Sequence, residues 1–134
     1  MHQLNVVVPT AVPETRDALE VALKAQGFGI LSEIDLQATF QAKLGVEHEA
    51  HRILGVCKPT LAKQALDLDR DVALLLPCTI TLRAVDAGTE VRALDPQAAF
   101  TLAAPATRAQ LEPLADAVSQ QIAEALAQLT AASA

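Results

Sequence analysis

The stretch that decides the fold class is TITLRAVDAGTEVRAL, residues 79–94. Its first half alternates in polarity, so that Ile80, Leu82 and Ala84 share one face, as in a strand with one side buried. The DAGT segment that follows predicts a turn, because Gly88 can adopt a positive φ at no steric cost. The residues after the turn return as a second strand. The stretch therefore predicts an antiparallel β-hairpin.

Upstream of the hairpin, strand and helix patterns alternate. Apolar or β-branched runs predict strands, and amphipathic stretches that follow proline or aspartate predict helices. The predicted strands are 4–8, 28–34 and 52–57, with Ile30, Ser32 and Ile34 on one face of the second. The predicted helices are 13–26, 36–44 and a third that begins at Pro59. The apolar run 72–76 predicts a further buried strand.

A long amphipathic helix is predicted to close the chain. Leu111, Val118, Ile122 and Leu129 recur at helical spacing, with acidic and amide side chains on the opposite face. We expect the helix to start near residue 112, because Pro113 would otherwise lie inside it. Residues 130–134 are expected to fray.

The predicted order of elements is β-α-β-α-β-α-β-β-α. Because both βα alternation and a hairpin are present, we expect a two-layer α+β fold with a mixed β-sheet of about five strands. Helices should cover mainly one face of the sheet, and the partly open other face favours dimerisation. No linker or repeat divides the chain, so residues 1–134 are predicted to form a single domain.

Composition restricts the class of protein and its partners. The net charge is −6, and the only aromatic residues are Phe28, Phe40 and Phe100. Nucleic acid is therefore not expected as a partner, since its binding needs clustered cations and stacking aromatics. No apolar run approaches the ~20 residues that cross a bilayer, and no cationic leader is recognisable. We expect a cytoplasmic protein without a membrane partner or a cofactor.

Three segments together resemble one known family. They are GFGILSEID at 27–35, ILGVCKP at 53–59, and LLPC at 75–78 followed by a strand, an acidic glycine turn and a return strand that ends at Asp95-Pro96. In order and spacing, residues 3–128 resemble the domain of unknown function 302 family. The resemblance implies a small α+β protein, often homodimeric, with no assigned reaction. Lys58 stands where the family more often has asparagine, and Leu36 stands where some members have histidine.

Two cysteines are the first candidates for chemistry. Cys57 and Cys78 lie at predicted strand ends, and each borders a proline in sequence or lies one residue from one. If their strands are neighbours, the thiols could serve redox chemistry, sulfur transfer or zinc binding. The helix that begins after Cys57, together with Lys58, is expected to lower the pKa of the Cys57 thiol. Alternatively, both cysteines are small core residues.

Histidines and carboxylates supply the other candidates. The segment EHEAH at 47–51 places His48 and His51 in a polar loop, where they could form a metal site or an acid–base pair, or simply a solvated loop. Asp35 and Glu33 flank a helix start, where Asp35 is either a helix cap or part of a ligand site.

The function predicted from these features is a homodimeric module that binds a small molecule or a partner without catalysis. The alternative is a thiol- or metal-dependent protein that uses Cys57 and Cys78. Whether the chain is an enzyme stays open at this point, since no assembled catalytic motif is recognisable.

Overall fold

The computed structural model describes residues 3–101 and 103–133. Five strands form one sheet, in the order β1-β5-β4-β3-β2, and every pair of neighbours is antiparallel. The strands are β1 (Asn5–Val8), β2 (Gly29–Asp35), β3 (His51–Cys57), β4 (Cys78–Val85) and β5 (Gly88–Ala93). The hairpin predicted from residues 79–94 is thus confirmed as β4 and β5.

The antiparallel pairing of all neighbours differs from the mixed sheet that the sequence predicted. β1 and β2 do run in the same direction, as a strand–helix–strand alternation predicts. They lie at opposite edges of the sheet, however, so the crossover joins strands that do not touch. Strands β5, β4 and β3 lie between them, and each runs antiparallel to both of its neighbours, so no two adjacent strands are parallel.

The helices form the second layer. They are α1 (Val12–Ala25), α2 (Leu36–Leu44), α3 (Pro59–Leu68), α4 (Pro96–Phe100) and α5 (Pro105–Ser133), with a 3-10 helix at Arg70–Leu75. Leu19 and Leu23 of α1 pack with Leu82 of β4 and Ile122 of α5, and all four are fully buried. This arrangement confirms the two-layer α+β fold, in which burial of aliphatic side chains provides the main stabilising free energy.

The apolar run 72–76 does not form the predicted strand. It belongs mostly to the 3-10 helix, which buries Val72 but leaves Leu74 86% exposed. Val72 packs in a second apolar cluster with Phe100 of α4 and Leu111 of α5. A continuous apolar run carries no periodicity to distinguish a strand from a short helix, and tertiary packing made the choice here.

The last helix begins earlier than predicted. It starts at Pro105 and keeps Pro113 inside it. Leu111 and Ala115, on either side of that proline, are fully buried against the second cluster, so packing offsets the lost hydrogen bond. The helix continues through Ser133, and Ala134, the last residue of the tail expected to fray, lies outside the described residues.

A bulge in β2 changes which face its side chains occupy. Ile30 is paired with Val56, whereas Ser32 is paired with Gly55, so one residue is inserted between the two pairs. Ile30 therefore packs against the core, and Ser32 lies on the face without helices, contrary to the predicted shared face. None of the described helices is long and apolar enough to cross a membrane.

Candidate functional sites

The two cysteines lie at the same end of neighbouring strands. Cys57 ends β3, and Cys78 begins β4 directly opposite Val56. Both border one cavity, whose lining is completed by apolar side chains of α3, α4 and α5, among them Leu61, Phe100 and Leu114. The volume of this cavity, about 20 Å³, is enough for a single water molecule at most. The cysteines thus come together, but beside a packed apolar space.

The electrostatic environment opposes thiolate formation. Burial raises the pKa of the Cys57 thiol. It also raises the pKa of Cys78 to about 11, and repulsion from a charged Cys57 adds to the effect. This direction is opposite to the lowering that we predicted from the helix that follows Cys57. Desolvation outweighs the helix dipole because the surroundings of both sulfurs are apolar.

Lys58 does not approach the site as a free cation. It precedes α3, and its Nζ donates a hydrogen bond of 2.9 Å to Oε1 of Gln121 in α5. Its aliphatic chain passes close to Gly27, whose φ is +87°. The side chain therefore ties the end of β3 to the last helix.

Asp35 and Glu33 both have structural partners. The Asp35 carboxylate accepts the Ala38 N–H at 3.0 Å, which is the predicted cap of α2. Glu33 accepts from Arg16 of α1 at 3.0 Å and from Arg52 of β3 at 2.9 Å. These bonds join α1, β2 and β3, so Glu33 fastens the edge strand to the rest of the molecule.

The sequence did not predict a groove that lies on the face of the sheet opposite α1 and α5. This face is called the helix-free face below, although the 3-10 helix and α4 border it at one end. Strands β2, β3 and β4 form its floor, and the 3-10 helix, Pro77 and α4 form its wall. Its volume is about 570 Å³, within the usual range of small-molecule sites. The lining residues are Ser32, Ile34, Ile53, Leu54, Gly55, Leu74, Leu75, Leu76, Pro77, Thr79, Leu94, Ala98 and Ala99.

The floor of the groove is shaped by Gly55. A Cβ atom at this position would lie 2.5 Å from Cγ of Pro77 and would also collide with the Ser32 hydroxyl. The absence of a side chain therefore lets Pro77 lie against the sheet. A glycine within a predicted strand was the available signal, since it often marks a close approach of another segment.

His48 and His51 converge, as a metal site would require. Nε2 of His48 is 3.1 Å from Nδ1 of His51, and the two rings stack with an interplanar angle of 12°. Glu49 joins them, because its Oε1 lies 3.8 Å from Nδ1 of His48. A hydrogen bond from its own backbone N–H, together with the charges of His48, Arg83 and His51, lowers the pKa of Glu49. Neither cysteine belongs to this cluster.

Comparison with known proteins agrees with the resemblance noted in the sequence. The family model described as "Domain of unknown function DUF302" matches residues 4–129. A crystal structure of an uncharacterized conserved protein DUF302 from Bacillus stearothermophilus is similar at a TM-score of 0.84 and 26% identity. That match covers 93% of this chain and 95% of the other. No curated protein matches the chain.

Proposed function

Since this chain belongs to the DUF302 family, which is defined without an assigned function, we propose one from the geometry: a homodimeric module that binds a small, largely apolar molecule. The observation that carries the proposal is the groove on the helix-free face. There, an open space of ligand size meets apolar walls and a few polar groups.

The chemistry of the groove favours binding over catalysis. Leu74 and Leu94, on its rim, are 86% and 54% exposed, so a ligand that covered them would remove apolar surface from water. Ser32 and Thr79 offer hydroxyls that can orient a polar end of the ligand. The described lining residues include no carboxylate, imidazole or thiol, which are the usual groups for acid–base or nucleophilic catalysis.

The thiol-dependent alternative has weaker support. A reactive cysteine needs a lowered pKa and access to solvent. Burial instead raises the pKa of both thiols, and their cavity has no room for a substrate. We therefore assign Cys78 to the packing of the core and Cys57 to the lining of the small cavity beside it.

Self-association is part of the proposal and uses the half of the helix-free face that lies outside the groove. Val7 of β1 is 51% exposed and is paired with Glu90 of β5. A two-fold axis over this region would cover both copies of Val7, while Glu90 keeps its ion pair with Arg83.

The groove is tested with the fluorescent probe 1-anilinonaphthalene-8-sulfonate, an apolar aromatic anion. We expect Leu94→Asp to weaken binding of the probe by about tenfold or more, which corresponds to ~1.4 kcal/mol. Val21→Asp is the matched control, because Val21 is an exposed apolar residue of α1 and is not part of the groove. Equal losses of affinity in the two variants would show that the probe does not bind in the groove.

A further inference from the structure

Three potential metal ligands from one short segment lie together at the start of β3. One donor atom from each of His48, Glu49 and His51 falls within 4.8 Å of the other two. The histidine nitrogens that face one another are 3.1 Å apart. Two nitrogens bound to one tetrahedral zinc ion at 2.0–2.1 Å are separated by about 3.3 Å. The two nitrogens, which share a hydrogen bond, are therefore close to the spacing that a shared ion requires once it displaces the proton between them.

Neighbouring residues hold the first imidazole in place. The ring of Phe40 in α2 makes an edge contact with the His48 ring, with centroids 5.0 Å apart. The side-chain amide of Gln37 donates to the carbonyl oxygen of His48 at 3.1 Å. Both contacts connect α2 to the loop that carries His48. A ligand oriented before the ion arrives loses less conformational entropy on binding.

The second imidazole is held by the sheet. His51 is the first residue of β3 and is paired with Arg83 of β4. A nearby guanidinium would repel a cation, but Arg83 forms an ion pair with Glu90 at 3.1 Å. This ion pair offsets part of its charge, and the carboxylate of Glu49, which Arg83 also attracts, can neutralise part of the charge of an ion.

We propose that His48, Glu49 and His51 bind one divalent first-row transition ion per chain, with Zn²⁺ as the ion that suits them best. Imidazole is a poor ligand for Mg²⁺ and Ca²⁺, which prefer oxygen, and a good one for zinc. Two imidazoles and one carboxylate make a three-ligand site with a fourth position open. The site shares no residue with the groove, so it goes beyond the binding function proposed above.

The test is titration calorimetry of the chelator-stripped full-length chain with Zn²⁺. We expect one ion per chain for the unmodified protein. His51→Ala and His48→Ala should each weaken binding by about tenfold or more, since loss of even an outer-shell partner costs that much. The matched control is His2→Ala, which removes the chain's third histidine and should leave the affinity unchanged.

Two further measurements separate the site from general instability. Glu49→Gln keeps the size of an exposed side chain while removing its charge, and should weaken zinc binding while the metal-free protein stays folded. Leu94→Asp should bind zinc as the unmodified chain does, so a failure of the groove proposal would not affect this one. Absence of zinc binding, equal affinity in His51→Ala, or loss of binding in His2→Ala would each overturn the proposal.

Discussion

At the scale of single residues, the surroundings of a side chain decide its chemistry more than its position in the chain. Cys57 precedes a helix, a position that in isolation lowers the pKa of a thiol. In the folded chain it lies beside an apolar cavity together with Cys78, and burial raises the pKa of both. His48 and His51, by contrast, are predicted from the sequence to lie in a polar loop. They form a candidate site because Nε2 of His48 lies 3.1 Å from Nδ1 of His51.

The raised pKa of Cys78 makes stability depend on pH in a defined window. Between its ordinary value of 9.0 and about 11, the unfolded chain releases the proton while the folded chain keeps it. Stability should therefore fall as the pH rises through this window, at most by about 1.4 kcal/mol per pH unit from this group, and should be unaffected below it. Urea unfolding of the unmodified chain and of Cys78→Ala at several pH values measures the difference. Identical pH dependence in the two proteins would contradict the assignment.

At the scale of elements, contacts between segments explain the features that local pattern misses. The 3-10 helix and α4 close one end of the helix-free face, and both pack on the second apolar cluster through Val72 and Phe100. Glu33 holds the edge strand β2 through two arginines. The bulge in β2 contributes to the groove, because it turns Ser32 towards the same face as Gly55. These contacts join residues that are distant in sequence.

The contact between Gly55 and Pro77 predicts a strong effect of a small substitution. Gly55→Ala should lower the free energy of unfolding by about 1–3 kcal/mol, because the added Cβ would force Pro77 or the strand to move. Gly29→Ala is the matched control in β2, since a Cβ there would meet no atom within 4 Å and should change stability by less than about 0.5 kcal/mol. Urea denaturation gives both values, and equal effects would show that the close approach is unimportant.

At the scale of the whole molecule, the two faces of the sheet are covered to different extents. One face of the sheet is covered by α1 and α5, whose side chains fill the main core. The other face carries the groove at one side and the exposed Val7 at the other. An uncovered sheet with apolar residues at its surface is the kind of surface that proteins use for association or ligand binding.

The proposed dimer is checked by native mass spectrometry of gently purified protein. We expect a dimer for the unmodified chain and a shift towards monomer for Val7→Asp. The two-fold axis would bring the introduced carboxylates of both copies together in a buried interface. Val21→Asp adds the same charge on α1 and should remain dimeric. A monomeric unmodified chain, or dissociation of both variants alike, would refute this interface.

What the sequence by itself determined is the identity of most elements and their class. Hydrophobic periodicity and turn residues are local properties, so the β4–β5 hairpin, α1, α2 with its Asp35 cap, and the family could all be recognised from them. Only the tertiary structure decided the strand order, the 3-10 conformation of most of residues 72–76 and the continuation of the last helix through Pro113. It also decided the groove and the environment of the thiols. Each of these depends on contacts between distant segments, where the burial of one surface by another outweighs local preference.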